Sequence, residues 1–307
     1  MPDFPFPTDP RLSAIAIGYR NGRMIADDVL PRVQVGQQEF KYLQYSAADT
    51  FTIPNTTVGR TSRPNEVEFA ATEATGSTSD YGLEDPIPQK DLDNAPAGHD
   101  VRGQATEGLA DLIELDREKR VADLVFAAAS YPSGQKNDLS SAAFSTPIST
   151  IMDALDTPLM RPNVMICGRK SFTALATHPD IVKAVHMNSG DRGVASRQAI
   201  ADLFELEEVL VGEAYYNSAK KGQAAAMSRL WGSHIALIHR DRQATNRSRA
   251  SFGMTFQSGE RVAGSWSDRD IGLRGGVRVR VGESVVEKIT ANALGYLFSN
   301  VAAFTPT

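Results

Sequence analysis

The sequence predicts an α+β fold in which an extended N-terminal third leads into one long helix, a mixed domain and a set of terminal strands. Three observations predict it. Residues 1 to about 100 alternate short strand-like runs with proline and glycine breaks. A single amphipathic helix follows at about 105–130, and the rest of the chain passes from helix–strand alternation to strands of period two.

Within the first third, Arg32–Val35, Glu39–Tyr45, Thr50–Ile53 and Val67–Ala71 read as strands, and only Leu12–Tyr19 carries a helical period. Such a segment cannot build a core alone. Extended arms and a long hairpin fit it better than disorder. A long structureless stretch inside a compact domain is unusual. Order supplied by a second chain, through backbone bonds at a sheet edge and apolar contacts, is the expectation for this region.

The helix follows from Leu109, Leu112, Ile113, Val121, Leu124, Val125 and Ala128 at helical spacing. Thr106 is the expected N-cap and Ser130–Gly134 the expected stop. Between the apolar clusters, Glu114 to Arg120 alternates in sign, with Asp116 and Arg120 four apart. That run reads as a solvated face.

From Pro147 to Arg249, helices are expected at Ile148–Leu155, Ser171–Met187 and Val194–Phe204, with strands at Val164–Cys167, Glu208–Val211 and Ile235–Ile238. The last stretch, Ala250–Phe304, is strand-rich, with alternation at Val277–Val281 and Val285–Ile289. It is expected to close a sheet against the long helix.

Bulk properties narrow the function. The 307 residues are 41% hydrophobic and 22% charged, as in ordinary soluble globular proteins. A net charge of −5 and a pI near 5.6 argue against a protein whose main work is gripping phosphates. The single cysteine, Cys167, excludes a disulfide framework and a multi-cysteine zinc site, and points to a reducing cytoplasm. The proline-rich start, Met1–Pro10, lacks the basic and apolar regions of a secretory signal, and no apolar run approaches the length of a membrane helix.

No catalytic constellation assembles. Ser218 and Lys221 have Ser-x-x-Lys spacing without the companion motifs of that enzyme class. His234 and His239 flank a strand on opposite faces. Asp268-Arg269-Asp270 reads as a surface charge cluster, Gly275-Gly276 as a hairpin turn, and Cys167 as a buried, inert thiol. Arg278 and Arg280 share a strand face and suit carboxylates across a subunit interface. No nucleophile, base and orienter converge, so no catalytic, cofactor-binding or metal-binding residue is assigned. An α/β hydrolase using Ser218 or Cys167 is the rival reading from another class.

The order of parts resembles the major capsid proteins of tailed bacteriophages with the HK97-like fold, within the Mu-like and siphophage group. The residues that carry it are Ile17-Gly18-Tyr19, Met24 to Pro31, Tyr81-Gly82-Leu83-Glu84 leading to Asp93-Asn94-Ala95, Arg117 to Asp123, and Pro162-Asn163-Val164-Met165. The resemblance implies an N-terminal arm at 1–38, an E-loop hairpin at 39–79, a P domain at 80–146 with its spine helix at 105–130, an A domain at 147–250, and C-terminal P-domain strands at 251–307.

It also implies a function: homo-pentamers and homo-hexamers forming an icosahedral shell around packaged double-stranded DNA. The protein is then no enzyme and needs no cofactor. Expected partners are a separate scaffolding protein, a portal, an optional decoration or cementing protein, and DNA by weak non-specific contact, with no membrane. Its expected place is the virion capsid, assembled in the host bacterial cytoplasm. Subunit contacts are expected at Tyr19, Leu30, Phe40, Tyr42, Phe51, Ile53, Arg60, Arg63, Arg278 and Arg280. Some relatives of this kind crosslink an E-loop lysine to a neighbour, but no lysine lies between Lys41 and Lys90, so a shell without covalent chainmail is expected. An encapsulin-like nanocompartment shares the fold and is the alternative shell.

Overall fold

A computed structural model describes residues 8–18, 21–44, 53, 55–64, 72–139, 146–186, 193–220, 222–245 and 249–301. Two five-stranded sheets organise them.

The first sheet is built on one long strand. The two alternating stretches at Val277–Val281 and Val285–Ile289 form a single strand β13, Gly276–Ile289. Strand β4 (Ser79–Pro88) pairs with it along one side, while β11 (Gly253–Ser258) and β12 (Val262–Asp268) follow each other along the other side. Strand β1 (Arg32–Val35) adds to β11 in parallel. Val277, Val279 and Val281 point to one face, where Leu12 and Ala16 of helix α1 (Pro10–Gly18) and Leu109 and Ile113 of the long helix cover them. The period-two pattern of the valines is the cause of this layer.

The second sheet runs β5 (Lys136–Asp138), β14 (Gly295–Ser299), β10 (Ile235–Ile238), β6 (Val164–Gly168) and β7 (Glu208–Gly212). Its central strands read as continuous apolar runs because both faces are covered. Met165, Cys167, Val209, Val211, Ile235 and Leu237 meet residues of the surrounding helices, including Ile151, Leu175 and Ile200. Their alternates Val164, Ile166, Leu210, Ala236 and Ile238 meet Val121, Val125 and Leu30 on the opposite side. The terminal strand β14 thus joins this sheet and not the one formed by β11–β13, so sheet membership does not follow linear segments.

Several boundaries differ from the sequence expectation. The long helix spans Val101–Val125, beginning four residues early and ending before Ser130. Thr106 lies inside it, buried, donating its hydroxyl to the Arg102 carbonyl at 2.8 Å instead of capping. The flanking residue is Asp100, which ion-pairs with Arg11 of α1. The single helix expected at 171–187 divides into Arg169–Ala176 and Pro179–His186, with Pro179 opening the second. The next helix starts at Arg197, where the Ser196 hydroxyl accepts from the Ala199 N–H at 3.1 Å.

The described residues of the N-terminal segment, 10–18 and 21–35, pack on their own chain, with Leu12, Ala16, Val29 and Leu30 buried. A short helix α2, Ala26–Val29, precedes β1. The segment's apolar residues are too sparse to form a local core, and these four pack instead against distant elements of the same chain. Glu39–Gln44 (β2) pairs with Thr72–Ser77 (β3) as the root of a hairpin. The expected strands at 50–53 and 67–71 fall outside the described residues, apart from Ile53, which is in no strand.

Candidate assembly interface

The charged run of the long helix is the structural centre of the arm. Glu118 is fully buried and accepts hydrogen bonds from the Ile25 and Ala26 amides, at 2.9 and 2.8 Å, and from the Trp231 indole at 2.6 Å. Burial pushes its carboxyl above the usual range, although these donors and Arg117 pull it back. Trp231 reaches this position because Gly212 carries no side chain: a Cβ there would overlap the indole ring.

Around Glu118 lies a lattice of guanidinium and carboxylate groups. Arg117 pairs with Asp27 and donates to the Thr255 hydroxyl at 3.0 Å. Arg32 joins Asp27 at 2.7 Å to Glu283 at 2.8 Å. Arg261 holds Glu283 and Glu114, each at 3.1 Å, and the Ala16 carbonyl at 3.0 Å. Burial would raise the Asp27 and Glu283 carboxyls, but the guanidinium groups around each more than offset it, and both sit below the usual range. For Arg117, burial and neighbouring Arg32 weaken the charged form.

The reading of Glu114–Arg120 as a solvated face is therefore corrected. Glu114, Arg117 and Glu118 point inward and only part of the run faces solvent, with Arg120 bridging Asp116 and Glu287. Local sequence gives no sign of this, since the partners Asp27, Arg32, Trp231, Arg261 and Glu283 come from four other segments. Such pairs are costly to break singly, because the orphaned charge stays buried.

The residues expected at subunit contacts fall into separate places. Leu30 is buried beneath β11, where Gly253 makes room for it. Phe40 and Tyr42 are buried against Phe256 of their own chain, with ring centroids 4.5 and 5.3 Å away. Arg278 pairs with Asp268 at 2.7 Å and with Glu84 at 3.3 Å, and Arg280 pairs with Glu84 and lies over the Trp266 ring. Ile53 is 94% exposed, and Arg60 and Arg63 are exposed as well. Tyr19 and Phe51 lie outside the described residues.

The catalytic candidates fall on different elements. Cys167 is buried in β6, and burial pushes its thiol up to about 12, opposed by Arg197. Ser218 donates to the Ala226 carbonyl at 3.0 Å within the small hairpin of β8 (Tyr215–Asn217) and β9 (Met227–Arg229), and Lys221 lies outside the described residues. The His234 ring accepts from the Asn300 amide, while His239 contacts the Arg161 carbonyl. Among the described residues no cluster of His, Cys, Asp and Glu is arranged to hold a metal, and no helix is long and apolar enough to cross a membrane.

A long helix laid across one sheet, a second sheet covered on both faces, an arm clamped to the helix and the paired strands β2 and β3 match the HK97-like fold. Solved structures agree. A phage-related protein from Bordetella bronchiseptica RB50 matches with a TM-score of 0.76 at 21% identity, over 96% of this chain and 98% of that one. The capsid of cyanophage P-SCSP1u gives 0.56 at 11% identity, over 92% and 89%. An encapsulin complex from Synechococcus elongatus PCC 7942 gives 0.51 at 11% identity, over 94% and 90%.

Sequence relatives decide between these shells. The chain is 53% identical to the major capsid protein of Pseudomonas phage JBD67, over 99% of its own length and 100% of the relative's. It is 28% identical to the major capsid protein of Burkholderia phage BcepMu, over 81% and 83%. No protein-family model matches. The chain belongs to the major capsid proteins of bacteriophages.

Proposed function

We propose that this subunit assembles into pentamers and hexamers that close as an icosahedral shell around double-stranded DNA. One observation carries the reading beyond family membership: strands β2 and β3 enclose residues 45–71, and among the described ones Ile53 is 94% and Val58 47% exposed. Two exposed apolar side chains on one short segment favour burial against a neighbour.

The arm clamp supports a division of labour. Residues 10–35 stabilise the subunit from within, and the hairpin tip and the exposed edges make the contacts between subunits. Ile53, Arg60 and Arg63, with Tyr19 and Phe51, are the direct contacts. Leu30, Phe40 and Tyr42 fix the root of the arm and hairpin, and Arg278 and Arg280 present a charged strand face already balanced by Glu84 and Asp268. The tip and its receiving surface differ, so the contact is heterologous and closes by rotation into rings.

The role is structural, without catalysis or cofactor. Scaffolding, portal and decoration proteins are separate partners, DNA contacts are weak because the chain carries a net charge of −5, and assembly takes place in the host cytoplasm. Expression of the chain with its phage's scaffolding protein, followed by negative-stain microscopy and nuclease-protected DNA measurement on particles from infected cells, tests the proposal. Uniform icosahedral particles holding DNA are expected; a purified monomer that never assembles, or particles filled with cargo protein, would refute it.

A further inference from the structure

Between helices α1 and α2 lies Asn21-Gly22, the one Asn-Gly pair in the 307 residues. The Asn21 carbonyl accepts from the Met24 N–H at 2.9 Å, which makes Asn21 to Met24 a β-turn with Gly22 and Arg23 at its centre. The Asn21 side chain folds over the same turn. Its Oδ1 accepts from the Arg23 N–H at 3.1 Å, a bond that lays the carboxamide across the intervening Gly22 peptide. Gly22 is exposed, and among the described residues nothing accepts its N–H.

The other end of the carboxamide is held by the long helix. Asn21 Nδ2 donates to Asp111 at 2.7 Å, and the Asn21 backbone N–H donates to Glu114 at 3.3 Å. Glu114 pairs in turn with Arg261, which also donates to the Ala16 carbonyl of α1. The turn therefore meets the helix at two carboxylates, a place that suits a neutral donor and disfavours an anion.

We propose that Asn21-Gly22 is a site of spontaneous deamidation that loosens the arm from the long helix with age. The deprotonated Gly22 nitrogen attacks Cγ of Asn21 and closes a cyclic imide, and the Cγ–Nδ2 bond breaks as ammonia leaves with the proton. Water then opens the imide at either carbonyl, giving isoaspartate or aspartate without an oxidant or cofactor. Glycine permits the attack, since no side chain shields its nitrogen and its backbone turns freely. Either product sets a new carboxylate against Asp111 and Glu114, and isoaspartate also adds a methylene to the main chain.

Asn217-Ser218 is the internal contrast. There the Ser218 N–H is bonded to the Ala226 carbonyl at 2.9 Å, and Asn217 Oδ1 accepts from the Ala219 and Ala226 amides. Nucleophile and carboxamide are both fixed.

Storage of the purified full-length chain at mildly alkaline pH for weeks, followed by peptide mass spectrometry, tests the proposal. A gain of about 1 Da is expected at Asn21 and not at Asn217, with isoaspartate detected by an isoaspartyl methyltransferase. The rate should lie within about tenfold of that in the urea-unfolded chain. Gly22→Ala fits the turn, because open space surrounds the position and its φ is not left-handed, and it is expected to slow conversion by about tenfold or more. Asn21→Asp should speed tryptic cleavage of the arm several-fold, and aged wild-type chain should show the same increase over aged Gly22→Ala chain.

An Asn21 that stays intact in the folded chain while the unfolded chain converts would overturn the proposal, because the fold would then protect the site. Equal conversion at Asn21 and Asn217 would overturn the geometric argument. Converted or Asn21→Asp chain with an arm as resistant to trypsin as that of the fresh protein would overturn the loosening.

Discussion

The indole of Trp231 donates to the carboxylate of Glu118 across 2.6 Å, although the two residues are 113 positions apart. The same carboxylate accepts from Ile25 and Ala26, so one buried side chain joins the core of the second sheet, the long helix and the arm. The arm is thereby a fixed part of the subunit.

Glu118→Gln keeps the shape but sets an amide N–H₂ against buried N–H donors. A loss of about 2–3 kcal/mol is expected, since hydrogen bonds to charged groups are worth that much and buried donors are costly to orphan. Urea unfolding measures the loss. A red shift of tryptophan emission, unchanged in an exposed control such as Glu107→Gln, would locate it at Trp231.

Gly212→Ala places a methyl group where the indole sits. Overpacking of a rigid core costs about 1–3 kcal/mol. The predicted fall in melting temperature should be accompanied by easier proteolysis of the arm, and an unchanged melt would count against the packing described.

Leu30→Ala removes a fully buried side chain from the core shared by the arm and the second sheet. A cost of about 2–5 kcal/mol is expected from the lost burial and the cavity left behind. Deleting residues 8–35 should accordingly impair folding of the subunit itself, seen as loss of soluble protein, whereas an arm ordered only by neighbours would leave the monomer soluble.

Acid should loosen the clamp. Asp27 and Glu283 have folded-state pKa values below those of the unfolded chain. Their contribution is complete above the ordinary carboxylate range near pH 4 and is lost as pH falls through their lowered values. Glu118 acts in the opposite sense: its raised pKa gives a contribution present at low pH and lost as pH rises through the folded value. The urea midpoint should therefore drop below about pH 4. Glu283→Gln should be less stable at pH 7 and show a flatter acid limb.

Covalent crosslinking between copies through the hairpin is not expected, since no lysine occurs between Lys41 and Lys90. Mature particles boiled in SDS with reductant should give a single band near 33.2 kDa. A ladder of multimers would show that another side chain has taken that role.

Much of this was legible locally. Val164–Cys167 and Ile235–Ile238 were legible as strands and Val277–Val281 as an alternating strand, because short apolar runs and a period of two mark strands. The long helix was legible from its apolar spacing, though its start was misplaced by reading Thr106 as a cap. The clamp was not legible. Charge alternation on a helix looks the same whether the partners are water or distant guanidinium and carboxylate groups.

The sequence by itself determined the α+β class, the order of extended segment, long helix, mixed domain and terminal strands and, through resemblance, the capsid family. Only the tertiary structure decided that Leu12, Ala16, Val29 and Leu30 pack into the cores of their own chain, that Arg278 and Arg280 are balanced by Glu84 and Asp268, and that β14 crosses to the second sheet. The physical reason is range. Periodicity and turn chemistry act within about a dozen residues, whereas burying a charge or adding a strand depends on partners brought together from roughly 90 to 250 positions away.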